Sequence, residues 1–154
     1  MVSQDNGIDF VAYDSAGQVV LLGEAKSRVG TSEEWAARLR RNLLAHGTLP
    51  PAPFFLIATA ERLYFWKQDH PASSDDLPSF ILDTKEEFQP YLDNEQKTWS
   101  RLGHEALELL VLAWLEDLAR SGAVRARQNK ATRWLSDSGL IGALEKARIE
   151  VNPT

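Results

Sequence analysis

Two short segments are apolar at almost every position, and this feature restricts the possible folds more than any other. They lie at residues 19–22, Val-Val-Leu-Leu, and at residues 54–59, Phe-Phe-Leu-Ile-Ala-Thr. A strand that is apolar on both faces belongs in the interior of a sheet with a layer on each side. The residues between them predict a helix at 31–47, which begins at a capping box of Thr31 and Glu34. Because such a strand–helix–strand connection is right-handed, we expect the two strands to be parallel.

The other segments complete a mixed α/β fold in which helices flank a central sheet. Residues 8–13 predict a strand, and residues 14–17 predict a turn that joins it to the strand at 18–26 as an antiparallel hairpin. The remaining predicted elements are strands at 63–67 and around 80–82, an acidic helical segment near 85–92, a long helix from Ser100 to Arg120 that stops at Gly122, a helix at 132–148 broken around Gly139 and Gly142, and an edge strand at 149–151. No Gly-x-Gly-x-x-Gly follows the first strand, so a doubly wound dinucleotide-binding fold is not expected.

The length of 154 residues and the hydrophobic content of 44% predict a single domain, residues 1–154. We expect residues 1–67 to form its core, 68–99 an acidic loop and short helix, and 100–154 a C-terminal helical segment. The first residues do not form a basic and apolar leader, and the longest apolar stretch, at 107–119, is interrupted by acids. Together with the lack of cysteine, these features predict a cytoplasmic protein without a membrane partner.

The formal net charge of −5 argues against a general nucleic-acid binder, but the charge is unevenly distributed. Residues 24–47 contain five bases and three acids, and residues 120–148 contain seven bases and two acids. Residues 69–95 contain eight acids and one lysine. The net negative charge therefore comes largely from the acidic segment at 69–95, and two other segments are basic. We expect weak intrinsic DNA affinity that depends on metal, dimerisation or a partner.

Three ionisable residues, Asp9, Glu24 and Lys26, interrupt the two strands of the hairpin. Side chains alternate along a strand, so Glu24 and Lys26 share one side and Ala25 takes the other. If the turn has four residues, Asp9 lies opposite Leu22 and one diagonal from Glu24. Charges removed from water must be paired or must bind an ion. Two carboxylates suit a hard divalent cation; a surface ion pair between Glu24 and Lys26 is the alternative.

An acid in one strand followed by Glu-x-Lys in the next resembles the PD-(D/E)XK, or restriction-endonuclease-like, nuclease superfamily. The resemblance covers roughly residues 5–67, read as strand, strand, helix, strand, strand. It implies that Asp9 and Glu24 ligate Mg²⁺, for which Mn²⁺ can substitute, with help from the backbone carbonyl of Ala25. It also implies that Lys26 positions or activates the water that hydrolyses a DNA phosphodiester bond.

The sequence departs from the family pattern in two ways. Family members usually have a helix before the first catalytic strand, sometimes with a further acid, whereas eight residues precede Asp9. The helix at 31–47 lacks the Gln-x-x-x-Tyr pattern of some branches, although residues 31–67 look like a group of uncharacterised bacterial proteins with this fold. Two alternative functions remain: a degenerate nuclease fold that binds DNA or protein, and a dimerisation domain built on the helix at 100–120.

Weaker candidates for substrate binding follow the site along the chain. Their polar groups suit phosphate contact, although a solvated helix face explains them equally well; they are Ser27, Arg28, Arg38, Arg41 and Asn42, with His46 beyond them. Trp66 is a candidate for stacking on a base, and the other four tryptophans are expected in the core or at an interface. The three histidines show no ligand spacing, so no histidine metal site is expected. The sequence leaves open whether a homodimer or a protein partner is needed to cut a duplex.

Overall fold

Strands dominate the first half of the protein and helices the second half. The computed structural model describes residues 8–46, 49–68, 76–91, 103–128 and 133–152. In these ranges the strands are β1 (Phe10–Tyr13), β2 (Val19–Ala25), β3 (Phe54–Ala58), β4 (Arg62–Lys67), β5 (Phe80–Asp83) and β6 (Arg148–Val151). The helices are α1 (Glu33–His46), α2 (Thr84–Phe88), which a 3₁₀ turn at Gln89–Tyr91 follows, α3 (His104–Gln128), α4 (Arg133–Asp137) and α5 (Leu140–Leu144).

The strands form one mixed sheet in the order β5-β4-β3-β2-β1-β6. β2 and β3 are parallel, as the helix between them predicted, and every other neighbouring pair is antiparallel. The two apolar segments are the two central strands, and both are buried almost throughout. The predicted mixed α/β class is therefore confirmed, and so is the edge position of the last strand.

Each face of the sheet packs against helices. On one face, Leu22, Ile57 and Tyr64 pack with Ala36 of α1. On the other face, Leu21 and Ala25 of β2 share a hydrophobic cluster with α3, α4 and α5; the α3 residues of this cluster are Leu107, Val111, Trp114, Leu115 and Leu118. Burial of these apolar side chains supplies the main favourable free energy of folding. It also fixes the start of α3 over the end of β2. No helix in the described ranges is long and apolar enough to cross a membrane.

Two predicted helix boundaries are wrong. The side chain that caps α1 is Ser32, whose Oγ accepts the N–H of Trp35 at 3.1 Å, while the Thr31 hydroxyl is 2.8 Å from the Tyr64 hydroxyl. α3 runs through Gly122 to Gln128, because a single glycine costs a helix interior only about 1 kcal/mol and does not by itself end it.

The helix predicted at 132–148 is broken at Gly139, whose φ of 89° lies in the left-handed region that favours glycine. Gly142, the other expected break, lies inside α5. The proposed cap at Ser100 lies outside the described residues.

A β-bulge changes the predicted register of the hairpin. Ala12 pairs with Leu21 and Tyr13 with Val19, so one extra residue of β2 lies between these pairs. Phe10 consequently pairs with Gly23, and the N–H of Asp9 donates to the carbonyl of Gly23 at 2.9 Å. The expected pairing of Asp9 with Leu22 is therefore wrong by two residues. The connection at 14–18 has five residues instead of four, and the bulge adds one more residue to β2. The shift moves Asp9 alongside Glu24.

Candidate metal centre

The start of β1 and the end of β2 meet at one edge of the sheet, the edge formed by strand ends, since the two strands are antiparallel. Asp9 directly precedes β1, Glu24 is the penultimate residue of β2, and Lys26 directly follows it. Asp9 is 4% exposed and Glu24 is 5% exposed, whereas the Lys26 side chain is 42% exposed. The fold thus brings the three sequence-predicted residues together, with two buried carboxyl groups beside a lysine that reaches solvent.

Short contacts orient the three side chains. Asp9 Oδ2 accepts the backbone N–H of Ala25 at 2.8 Å, and Lys26 Nζ lies 3.3 Å from Glu24 Oε2. The other oxygen of Glu24, Oε1, is buried and has no hydrogen-bond partner among the described residues. A buried polar atom without a partner costs roughly 1–3 kcal/mol, so this oxygen is a candidate ligand atom.

The chain on either side of Asp9 is held by the residues after β6. The Asn152 side chain donates from Nδ2 to the carbonyl of Ile8 at 2.8 Å. The Asn152 N–H donates to the carbonyl of Asp9, also at 2.8 Å. The backbone of Asp9 is therefore bonded to β2 on one side and to the segment after β6 on the other.

The buried carboxyl groups interact strongly with one another. Burial, and then the negative charge of Asp9, raises the pKa of Glu24 from 4.5 to about 8, against the opposing effect of Lys26. The Asp9 and Glu24 side chains are also close enough to share a hydrogen bond. Glu24 therefore retains a proton near neutral pH unless a cation takes the place of that proton.

Helix α3 brings two further groups to the same place. His104 and Glu108 are four residues apart and so lie on one face of the helix, with Nε2 of His104 3.0 Å from Oε2 of Glu108. Asp9, His104 and Glu108 each offer one ligand atom, and these atoms all lie within 4.8 Å of one another. Burial, and then the charge of Asp9, raises the pKa of Glu108.

Sequence reasoning missed both α3 residues. It assigned no metal role to the histidines because they lack mutual ligand spacing, but His104 has a carboxylate at i+4. That spacing was readable from the sequence. The position of the helix was not, because it depends on Leu107 and its neighbours packing against β2.

The donor set fits a divalent cation. Asp9 interacts with Glu24 and also with Glu108, so three carboxyl groups are linked through Asp9, and Lys26 lies beside one of them, Glu24. Hard divalent cations take carboxylate oxygens and retain several waters, and burial without a compensating charge is unfavourable for these acids. Two observations indicate where a cation could supply the compensating charge. Glu24 Oε1 has no hydrogen-bond partner among the described residues, and the ligand atoms of Asp9, His104 and Glu108 lie close together. We call Asp9, Glu24, His104 and Glu108 the metal centre.

The weaker binding candidates lie on the surface. Ser27 and Arg28 are exposed in the connection after β2, with the Arg28 guanidinium 5.7 Å from the centre of the Trp35 ring. Further along, α1 exposes four polar candidates: Arg38, Arg41, Asn42 and His46. These positions are accessible to a ligand, and their role in substrate binding remains a prediction.

The tryptophan expectations have mixed outcomes. Trp66 is 5% exposed, meets Phe55 edge to face, and donates from Nε1 to the carbonyl of Asp76. The hypothesis that Trp66 stacks on a base is therefore wrong, because its ring is part of the core. Trp114 is fully buried, as expected. Trp99 and the side chain of Trp134 lie outside the described residues.

Comparisons with models of known families, with curated proteins and with solved structures give no match.

Proposed function

We propose that the protein is a divalent-metal-dependent nuclease that hydrolyses DNA phosphodiester bonds. The observation that supports this most is the convergence of Asp9, Glu24 and Lys26 at one edge of the sheet, with a buried Glu24 oxygen that has no hydrogen-bond partner in the part of the chain that the structure describes. The core fits a restriction-endonuclease-like arrangement, since β1 and β2 form a hairpin and α1 joins β2 to the parallel β3.

Helix α3 carries an acid that matches one expected from the family resemblance. The resemblance implies a helix before the first catalytic strand, sometimes with an acid that completes the site. In this protein a helix that follows the core in the chain brings Glu108 close to Asp9. We propose that Glu108 takes the role of that acid, which supports an active rather than a degenerate centre.

Each residue has a role that its contacts suggest. A bound divalent cation supplies positive charge that stabilises the charge developing on the phosphate. Asp9, fixed by the Ala25 N–H, and Glu24 hold that cation, with the Ala25 carbonyl as a further ligand. Lys26 extends from Glu24 towards solvent, where its ammonium group can orient the attacking water and bind a phosphate oxygen. The water oxygen would form a new bond to phosphorus as the bond to the leaving sugar oxygen breaks, while the water gives up a proton to solvent and the leaving oxygen takes one from solvent.

The exposed basic residues suit the approach of a nucleic acid. Arg28 follows the site in the chain, and Arg38 and Arg41 are exposed on α1. Arginine binds phosphate oxygens in a two-pronged geometry, so these side chains are the proposed contacts to the DNA backbone. Ser27 and Asn42, also exposed, are the proposed neutral contacts.

The test is cleavage of plasmid, duplex and single-stranded DNA with Mg²⁺ or Mn²⁺. We expect cleavage by the intact protein, and its loss in Asp9→Ala and Lys26→Ala. The matched control is Lys85→Ala, which removes an exposed lysine from α2 and should cleave normally. Circular dichroism establishes that each variant is folded. Failure of the intact protein to cut any DNA form would overturn the proposal, and metal-dependent DNA binding without cleavage would favour the degenerate nuclease fold.

A further inference from the structure

We infer that His104 is a direct ligand of the metal centre and that the centre consequently prefers Mn²⁺ to Mg²⁺. The inference deepens the proposed function, because it concerns the cation of the same site. It concerns a residue outside the Asp-Glu-x-Lys pattern and is argued from the position of α3 and from the contacts of Glu24.

The geometry places a nitrogen ligand among oxygens. His104 and Glu108 occupy the first two turns of α3, and their side chains are 3.0 Å apart at the nearest atoms. A ligand atom of Asp9 lies within 4.8 Å of a ligand atom from each of them. A cation between these three groups would exchange the His104–Glu108 hydrogen bond for two metal bonds, without movement of the helix backbone.

An independent observation points to the same position. The Glu24 side chain is 6% exposed, and its Oε1 has no hydrogen-bond partner among the described residues. Asp9 interacts with both Glu24 and Glu108. Asp9 therefore links the β2 carboxylate with the α3 pair, and a cation beside Asp9 would lie among the ligand atoms of Asp9, His104 and Glu108.

The chemistry of the ligands determines the preferred cation. Mg²⁺ demands near-ideal octahedral oxygen coordination and loses its waters reluctantly. Imidazole favours transition metals, and a carboxylate-rich site suits Mn²⁺ among them. A centre with three carboxylates and one imidazole therefore gains affinity for Mn²⁺ from His104, whereas Mg²⁺ gains little.

The first test is calorimetric titration of the full chain with Mn²⁺ alone and with Mg²⁺ alone. We expect Mn²⁺ to bind at least about ten-fold more tightly, and His104→Ala to remove about ten-fold of Mn²⁺ affinity with a smaller effect on Mg²⁺. His46→Ala, which removes the exposed histidine at the end of α1, should leave both affinities unchanged. Glu108→Gln should weaken both cations alike, because it removes a charged oxygen ligand.

The second test distinguishes a ligand from a residue that merely orients Glu108. Electron spin-echo spectroscopy of the Mn²⁺-loaded protein should show coupling to an imidazole nitrogen, which His104→Ala abolishes and His46→Ala retains. Bound Mn²⁺ without that coupling, or an unchanged Mn²⁺/Mg²⁺ preference in His104→Ala, would overturn the inference and leave the nuclease proposal standing. Nitrogen coupling in a protein that cuts no nucleic acid would support the inference and count against the nuclease. Failure to bind either cation would overturn both.

Discussion

Glu24 should make the metal-free protein less stable as the pH rises. Its pKa is raised from 4.5 to about 8 in the folded protein, chiefly by burial. The folded protein therefore binds a proton that the unfolded chain releases above pH 4.5, so the stabilisation is complete below that pH and is lost as the pH rises towards 8. The perturbation is Glu24→Gln, which retains the shape of the side chain and removes its titration.

The expected magnitude follows from the two pKa values. The linkage relation gives a loss of roughly 2–3 kcal/mol between pH 5 and pH 7 for this one group. Little of it is screened by solvent, because Glu24 is 5% exposed. For a chain of this size the loss corresponds to roughly 5–10 °C in Tm. Glu108, whose pKa is also raised, should likewise lower the free energy of unfolding as the pH rises. This contribution is also present in Glu24→Gln.

The measurement is urea unfolding in EDTA at intervals from pH 5 to pH 8. The free energy of unfolding of the wild type should fall relative to Glu24→Gln, which should be the more stable protein at pH 7. Glu34→Gln, which changes an exposed carboxylate on α1, should follow the wild type. Parallel pH profiles for the wild type and Glu24→Gln would refute the reasoning, since they would mean that Glu24 ionises equally easily in both states.

Three further predictions follow from the same contacts. Mn²⁺ should raise Tm more at pH 8 than at pH 5.5, because the cation must displace the Glu24 proton; equal increases in thermal scans would contradict competition between the two. Trp66→Ala should cost about 3–5 kcal/mol in urea unfolding, because the ring is part of the core, and a loss of DNA affinity without a loss of stability would contradict that placement. Asn152→Ala removes the side-chain bond to the Ile8 carbonyl and should cost about 1 kcal/mol; an unchanged Tm would show that this bond does not hold the segment around Asp9.

The sheet could be predicted because its signals are local. The apolar runs of β2 and β3 mark central strands, and the helical pattern between them fixes their parallel pairing. The same local reasoning placed Asp9, Glu24 and Lys26 at one sheet edge. The alternation of side chains along a strand and the antiparallel pairing of the hairpin are enough to bring these residues near one another.

The register of the hairpin and the two α3 residues of the candidate metal centre could not be predicted. The hairpin register depends on a five-residue connection and on a bulge between the Tyr13–Val19 and Ala12–Leu21 pairs, and the turn sequence specifies neither. His104 and Glu108 depend on where α3 packs, and that position is decided by a hydrophobic cluster that joins Leu107 to β2. Contacts between residues so far apart in the chain are set by packing, which periodicity alone does not reveal.

The attachment of Asp9 at both sides has a consequence for the order of folding. Its carbonyl accepts a hydrogen bond from Asn152 and its carboxyl group adjoins Glu108, so Asp9 completes these contacts only with residues made about 100 and about 140 positions later. Pairings over such separations form slowly, because a long loop must close first. A ribosome-bound chain that ends before His104 can hold Asp9, Glu24 and Lys26 but lacks both α3 ligands. The candidate metal centre is therefore complete only after the later residues have docked.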